Sequence, residues 1–175
     1  RPPLWQVKSK KIVVNHKTVR ERILLALESV GAGALPLIYI LTPWQSFADY
    51  RLPAWAGWIG AAIYAVGLWL LWRSHADLGR NWSRTLELRQ EHQLVTSGIY
   101  GHIQHPMYAF GWLLDIAQAL LLWNWVVALA GLASFALLYF LRVPREEQMM
   151  LEQFGEEYRA YMNRTGRVIP RLRLK

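Results

Sequence analysis

The chain has 175 residues and no cysteine; 54% of its residues are hydrophobic, ten are tryptophan, and its formal net charge is +8. That length fits one domain, and the lack of cysteine excludes disulfides, a thiolate nucleophile and a cysteine-based zinc site. The positive charge falls between long apolar runs rather than along one polar face, which favours a membrane protein over a nucleic-acid binder.

The opening segment, RPPLWQVKSKKIVV, does not read as a signal peptide, because Lys8, Lys10 and Lys11 are not followed directly by an apolar core. The first apolar run is 23–41 and carries Glu28 and Pro36. The second is 54–72 and carries no charge. After a polar stretch, 73–105, the third runs over 106–123 with Asp115 inside it, and the fourth covers 125–141. Each approaches the roughly 20 residues needed to cross a hydrocarbon core of ~30 Å. Buried helices of a soluble core are the alternative, but a chain this short has too little amphipathic helix to cover four such runs. The fold class expected is therefore all-α: a polytopic integral membrane protein with four transmembrane helices, forming one domain over 1–175.

Tryptophans 44, 55, 72, 123 and 125 stand at or near run ends, where an aromatic belt sits. Lysine and arginine total seven in 1–22, one in 42–53, four in 73–105 and eight in 142–175. By the positive-inside rule both termini and the 73–105 region are cytoplasmic. Runs three and four are separated only by Asn124 or so, which predicts a tight helical hairpin. Function is expected in 73–105 and 142–175, the two long polar regions on the same side.

In the tail, Pro144 is expected to end the fourth helix near Val143 and open a new one. From there Met150, Leu151, Phe154, Tyr158, Tyr161 and Met162 recur at helical spacing. Packing against the protein or the headgroup layer is the expected use of that stripe. Gly166 is a plausible stop.

Several chemistries find no motif: there is no GxGxxG, no GxxxxGK[ST] and no HExxH. His102 and His105 are three apart, with only His92 near, which is too little for a metal site. More telling is His105, which precedes Pro106 at the start of the third run. That places an imidazole at a helix N-terminus, where backbone N–H groups suit an anion such as the carboxylate of a small cofactor. A histidine that merely caps the helix is the alternative. Glu146 and Glu147 fall in the first turn after Pro144, where the helix dipole favours carboxylates whatever their role. Arg142 precedes Glu146 by four residues. Tyr100 and Tyr108 lie near in sequence, and Gly98 and Gly101 permit tight turns.

The order LGRNWS, then HQLVTSGIYGHIQHPMYAFGW, then LRVPREEQMMLEQFGEEYRAYMNRTGRVIP resembles the isoprenylcysteine carboxyl methyltransferase family and its prokaryotic relatives. The resemblance covers about residues 75–170, and HPxY with a downstream double glutamate and FGEEYxxY is specific. It implies a cytoplasm-facing site for S-adenosylmethionine, with a lipophilic substrate entering from the bilayer. Carried over by residue, it implies that His92, Gln93, Leu94 and Val95 border the cofactor. Tyr100, His105, Pro106, Met107 and Tyr108 line it. Glu146 is the acidic cofactor ligand, with Glu147 as the alternative, and Arg142 contacts the reacting end of the substrate. Glu87 is a weaker match to another cofactor contact.

There are departures. Many members carry arginine before HP, whereas this chain has Gln104. Members also usually have a further membrane helix ahead of the run at 23–41, so either that helix was removed or this member lacks it.

The implied reaction is methyl transfer to a carboxylate, with S-adenosylhomocysteine as the product. Rival readings are a methyltransferase acting on phospholipid amines, a nicotinamide-dependent membrane reductase and a non-enzymatic membrane scaffold. Inside the membrane runs, Asp115 and Glu28 are candidates for hydrogen-bonded burial or for shaping a substrate entrance.

Overall fold

In a computed structural model, residues 12–15, 18–79, 87–89 and 94–171 are described. Short pairing opens the chain: β1 (Ile12–Asn15) lies antiparallel to β2 (Glu87–Arg89), with Asn15 opposite Glu87. This ribbon is the one departure, among the described residues, from an otherwise all-helical design.

The first run is continuous helix from Val19 to Leu41, but it is not uniform. α1 (Val19–Glu28) begins where the Thr18 side chain accepts the Glu21 N–H. Its middle loosens into a π-helical stretch over Ser29–Ala34, and α2 (Leu35–Leu41) completes it. Pro36 at the start of α2 takes the early position it tolerates best. α3 (Ala54–Leu78) follows, and Gly79, at φ +52°, ends it. α4 (Pro106–Leu122) and α5 (Trp125–Phe154) form the expected hairpin. Trp123 turns the chain at φ 52°, and the Asn124 side chain caps α5 by accepting the Val127 N–H.

Three helical stretches, 19–41, 54–78 and 125–154, are long and apolar enough to cross a membrane, while α4 is a 17-residue apolar helix. Small residues let the helices approach, as is usual where lipid gives no hydrophobic drive to association. A Cβ on Gly60 of α3 would lie 3.0 Å from Leu120 and Leu121 of α4. One on Gly111 of α4 would run into the Phe135 ring of α5. Around that contact Leu24, Phe135, Leu138, Tyr139 and Val143 form the central apolar cluster, with Trp112 and Tyr108 packed on it. Many large apolar side chains face outward, among them Trp58, Trp55 and Phe140. That is the pattern of a bundle whose surroundings are themselves apolar.

The two ends differ. At one, the 42–53 connection meets the hairpin turn: Asn124 donates to the Gln45 carbonyl at 2.8 Å and to Asp49 at 2.9 Å, and Tyr50 N–H reaches the Trp123 carbonyl. At the other, residues 102–105 run alongside 166–167. Gly166 donates to the His102 carbonyl, Gln104 to the Gly166 carbonyl and His105 to the Arg167 carbonyl. Below them, α6 (Glu156–Arg164) is held by Tyr161, whose hydroxyl donates to the Tyr100 carbonyl at 2.7 Å.

Pro144 does not end the fourth helix. α5 passes through it unbroken to Phe154, with Val143 fully buried one residue before and Glu147 and Met149 buried after. Packing on both sides outweighs the hydrogen bond that the proline removes. The break falls instead at Gly155, at φ +53°, whose N–H closes on the Leu151 carbonyl. The apolar stripe of the tail is thus divided between α5 and α6, and all six of its side chains are buried or half-buried against the protein.

Candidate functional site

α4 starts at Pro106, and α5 carries its charged turn near its C-terminal end. The antiparallel hairpin therefore brings HPMY opposite LRVPREE. Glu146 and Glu147 lie well inside α5 rather than in the first turn of a new helix, so the dipole explanation for them falls. Arg142 and Glu146 are one turn apart on one face, 3.0 Å between Nε and Oε1. Tyr108 donates its hydroxyl to the same Glu146 oxygen at 2.8 Å. A second carboxylate, Glu21 of α1, stands 3.8 Å from the other side of the Arg142 guanidinium. Arg142 is 11% exposed, so these are contacts in a largely dry setting.

The two glutamates have different surroundings. Glu147 is buried and clamped on both oxygens. His105 Nε2 lies 3.1 Å from its Oε1, Arg167 Nε donates to that oxygen at 2.7 Å, and Arg167 Nη2 holds Oε2. An ionised carboxylate can only accept, so His105 carries its proton on Nε2. Glu146 is more open, at 22% side-chain exposure, and its Oε2 is only loosely approached by His105 Nδ1 at 3.9 Å.

His105 does not act as a side-chain cap. Its backbone carbonyl accepts the Tyr108 and Ala109 N–H groups, while its ring turns to the carboxylates and packs edge-on against Tyr108. Tyr108 in turn stacks edgewise on Tyr139 and lies against Phe135, with Trp112 completing the aromatic wall. Tyr100 is buried, and burial pushes its hydroxyl well above the usual range, with the charges of Asp77 and Glu146 adding to the effect. Tyr161 beneath it is pushed up to about 12 by burial. Both hydroxyls stay neutral at any physiological pH. The hydrogen bonds to Glu147 keep the Arg167 guanidinium charged.

Of the residues expected at the site, His105, Tyr108, Arg142, Glu146 and Glu147 converge. Pro106 is fully buried and Met107 half-buried at the same helix start. Leu94 and Val95 are half-buried in the strand-like approach to the turn at Gly98–Gly101. His92 and Gln93 lie outside the described residues, and of Glu87 only the backbone pairing with Asn15 is described. Gln104 turns away: its side chain donates to the Met162 and Thr165 carbonyls and ties down the end of α6. Sequence reasoning missed Arg167 and Glu21. The signal for Arg167 was its place just after Gly166, but only the pairing of 102–105 with 166–167 delivers it to Glu147. It also missed Asp77, which accepts the Ile99 N–H at 2.8 Å and the Arg73 guanidinium at 2.6 Å, fixing the turn that carries Tyr100.

An apolar helical bundle with a dry network of acids, arginine and tyrosine at one end defines a class of membrane protein rather than a soluble domain. The sequence profile of the isoprenylcysteine carboxyl methyltransferase (ICMT) family matches residues 58–152. The chain belongs to this family. It is 26% identical over 170 residues to a protein-S-isoprenylcysteine O-methyltransferase of Dictyostelium discoideum, covering 94% of this chain and 66% of that one. It is 30% identical over 118 residues to the nickel-cobalt-cadmium resistance protein NccN of Alcaligenes xylosoxydans xylosoxydans, covering 67% of this chain and 54% of that one. Among solved structures, it resembles the eukaryotic intramembrane Ras methyltransferase ICMT, with a TM-score of 0.60, 25% identity and coverage of 90% of this chain. It spans 54% of that chain, so it matches only part of each of these proteins.

Proposed function

We propose that the chain transfers the methyl group of S-adenosylmethionine to the carboxylate of a lipophilic acceptor held in the bilayer, with the site and both termini on the cytoplasmic side. The observation that carries this reading is the Tyr108–Glu146–Arg142 array at the mouth of the α4–α5 hairpin. The residues present suit the cofactor. Its ammonium calls for a partly accessible carboxylate, which Glu146 offers and the clamped Glu147 does not. Its adenosine calls for apolar and aromatic walls, which Tyr100, Pro106, Met107 and Tyr108 would supply; the family resemblance adds His92, Gln93, Leu94 and Val95 as its border.

The bound cofactor supplies a methyl group on a positively charged sulfur. The acceptor carboxylate is already ionised near neutral pH and needs no general base. When bound, the cofactor would donate that methyl to a carboxylate oxygen, with Glu146 holding the cofactor and Arg142 the acceptor. What the protein contributes is position and charge. Arg142 fixes the carboxylate, in a setting where a guanidinium–carboxylate contact is strong and directional. Glu21 and Glu146 aim that guanidinium, while Glu147 staples His105 to Arg167 and so holds the start of α4 against the tail.

An amine acceptor, as on a phospholipid, would need a group to take a proton. His105 and Glu147 are the nearest candidates, and both are already engaged with each other and with Arg167, which favours the carboxylate. The related enzymes named for isoprenylcysteine suggest a prenylated carboxylate as the acceptor.

Titration calorimetry with S-adenosylhomocysteine is expected to show binding that weakens about tenfold or more in Glu146→Ala. Labelled S-adenosylmethionine incubated with the protein and host membranes should then yield a base-labile methyl ester. A base-stable labelled amine would replace the acceptor assignment, and no binding at millimolar ligand would favour the reductase or the scaffold.

A further inference from the structure

Midway along the apolar helices lies a second polar cluster, built unlike the first. Asp115 of α4 is 1% exposed, and neither of its oxygens has a hydrogen-bond partner among the described residues. One turn later Gln118 donates to the Ala32 carbonyl of the π-helical stretch at 2.9 Å, and its own side-chain oxygen is buried without a donor. Both unpartnered groups face one notch. A Cβ on Gly131 of α5 would lie 2.8 Å from Asp115 Oδ1 and 3.8 Å from Gln118 Oε1, so the glycine is what lets the Asp115 carboxylate pack against the α5 backbone.

Glu28 borders the same place. Its Oε2 accepts the Ser134 hydroxyl at 3.0 Å. That hydroxyl is also 3.0 Å from the Gly131 carbonyl, and its single hydrogen serves one acceptor at a time. The π-helical stretch packs tightly here: a Cβ on Gly31 would collide with the Ser134 hydroxyl. Insertions of this kind in a helix often mark functional positions.

Two carboxylates and an amide oxygen thus stand about Gly131 with one hydroxyl donor, which serves Glu28, while the Asp115 and Gln118 oxygens have none among the described residues. Carboxylates withdrawn from water and without donors are stabilised by a proton or a cation, and groups of this type inside a membrane mark ion and proton sites. All the ligand atoms are oxygen, which selects a hard ion. We infer that Asp115, Glu28 and the Gln118 side-chain oxygen form an intramembrane site for one small monovalent cation, sodium, for which a proton on Asp115 competes. This site is separate from the methyl-transfer site and does not depend on that reading.

The test is thermal unfolding of the purified full chain in detergent, with sodium chloride replaced by choline chloride at equal ionic strength, from mildly acidic to mildly alkaline pH. If sodium occupies the site, it raises the midpoint by ~3 °C or more over choline. That gain grows with pH as proton competition fades, and Asp115→Asn abolishes it. If a proton on Asp115 takes its place, sodium and choline give equal midpoints, which fall as pH rises in the native chain and fall less in Asp115→Asn, and the cation site is overturned. Gly131→Ala, which puts a methyl group into the notch, should weaken either dependence and serves if Asp115→Asn does not fold. Midpoints indifferent to sodium, with a pH profile that Asp115→Asn or Gly131→Ala leaves unchanged, would overturn the inference.

Discussion

Two clusters of acidic side chains in the bundle have opposite settings. At the end of the α4–α5 hairpin each acid meets a cation or a hydroxyl: Glu147 has His105 and Arg167, Glu146 has Arg142 and Tyr108, and Glu21 has Arg142. At mid-span Asp115 has no donor among the described residues and Glu28 has a shared serine. The same residue type is therefore a fixed part of a network in one place and an open acceptor in the other. What separates them is reach. Arginines and a basic tail can fold back over the end of a bundle, but no long cationic side chain arrives at the middle of an apolar helix without a large desolvation cost.

That contrast can be broken in order of expected effect. Arg142→Ala should lower kcat/KM for methyl transfer about 100-fold, read with limiting acceptor, because it removes the charge that aims the carboxylate. Normal turnover in that variant would remove Arg142 from its proposed role. Glu147→Gln leaves His105 and Arg167 without their shared charge and should cost about 2 kcal/mol of stability in denaturation; Arg167 is half exposed, which discounts the pair. Asp115→Asn at mid-span, measured without sodium, should cost less than Glu147→Gln, since no native partner is lost; the reverse order would erase the distinction between the two clusters. Smallest is Gln104→Ala, which releases the Met162 and Thr165 carbonyls and should cost about 1 kcal/mol, with proteolysis or hydrogen exchange reporting a looser α6.

Gln104 also shows how a sequence departure can mislead. A neutral residue where relatives carry arginine suggests a change beside the cofactor, yet its amide serves the end of α6. Pro144 misleads in the other direction. A proline within a run of charges reads as a helix boundary, but buried Val143 and Glu147 hold α5 straight through it, and Gly155 supplies the boundary instead.

Much of the fold was legible because it follows from local chemistry: apolar runs of membrane length, a one-residue hairpin at Asn124, and Pro106 opening a helix directly after His105. That HPMY and the double glutamate lie together was legible from their resemblance to a family. Their division of labour was not. Glu146 and Glu147 are adjacent and chemically identical, and only the rotation of α5 against α4 and the tail leaves one half open and clamps the other. Arg167 and Glu21 come from opposite ends of the chain, and no spacing rule links them to residue 142 or 147. The sequence by itself determined what each segment can bury and where helices can begin. Which charges meet was decided by tertiary structure, because ion pairing depends on separations of a few ångströms between segments that the sequence holds far apart.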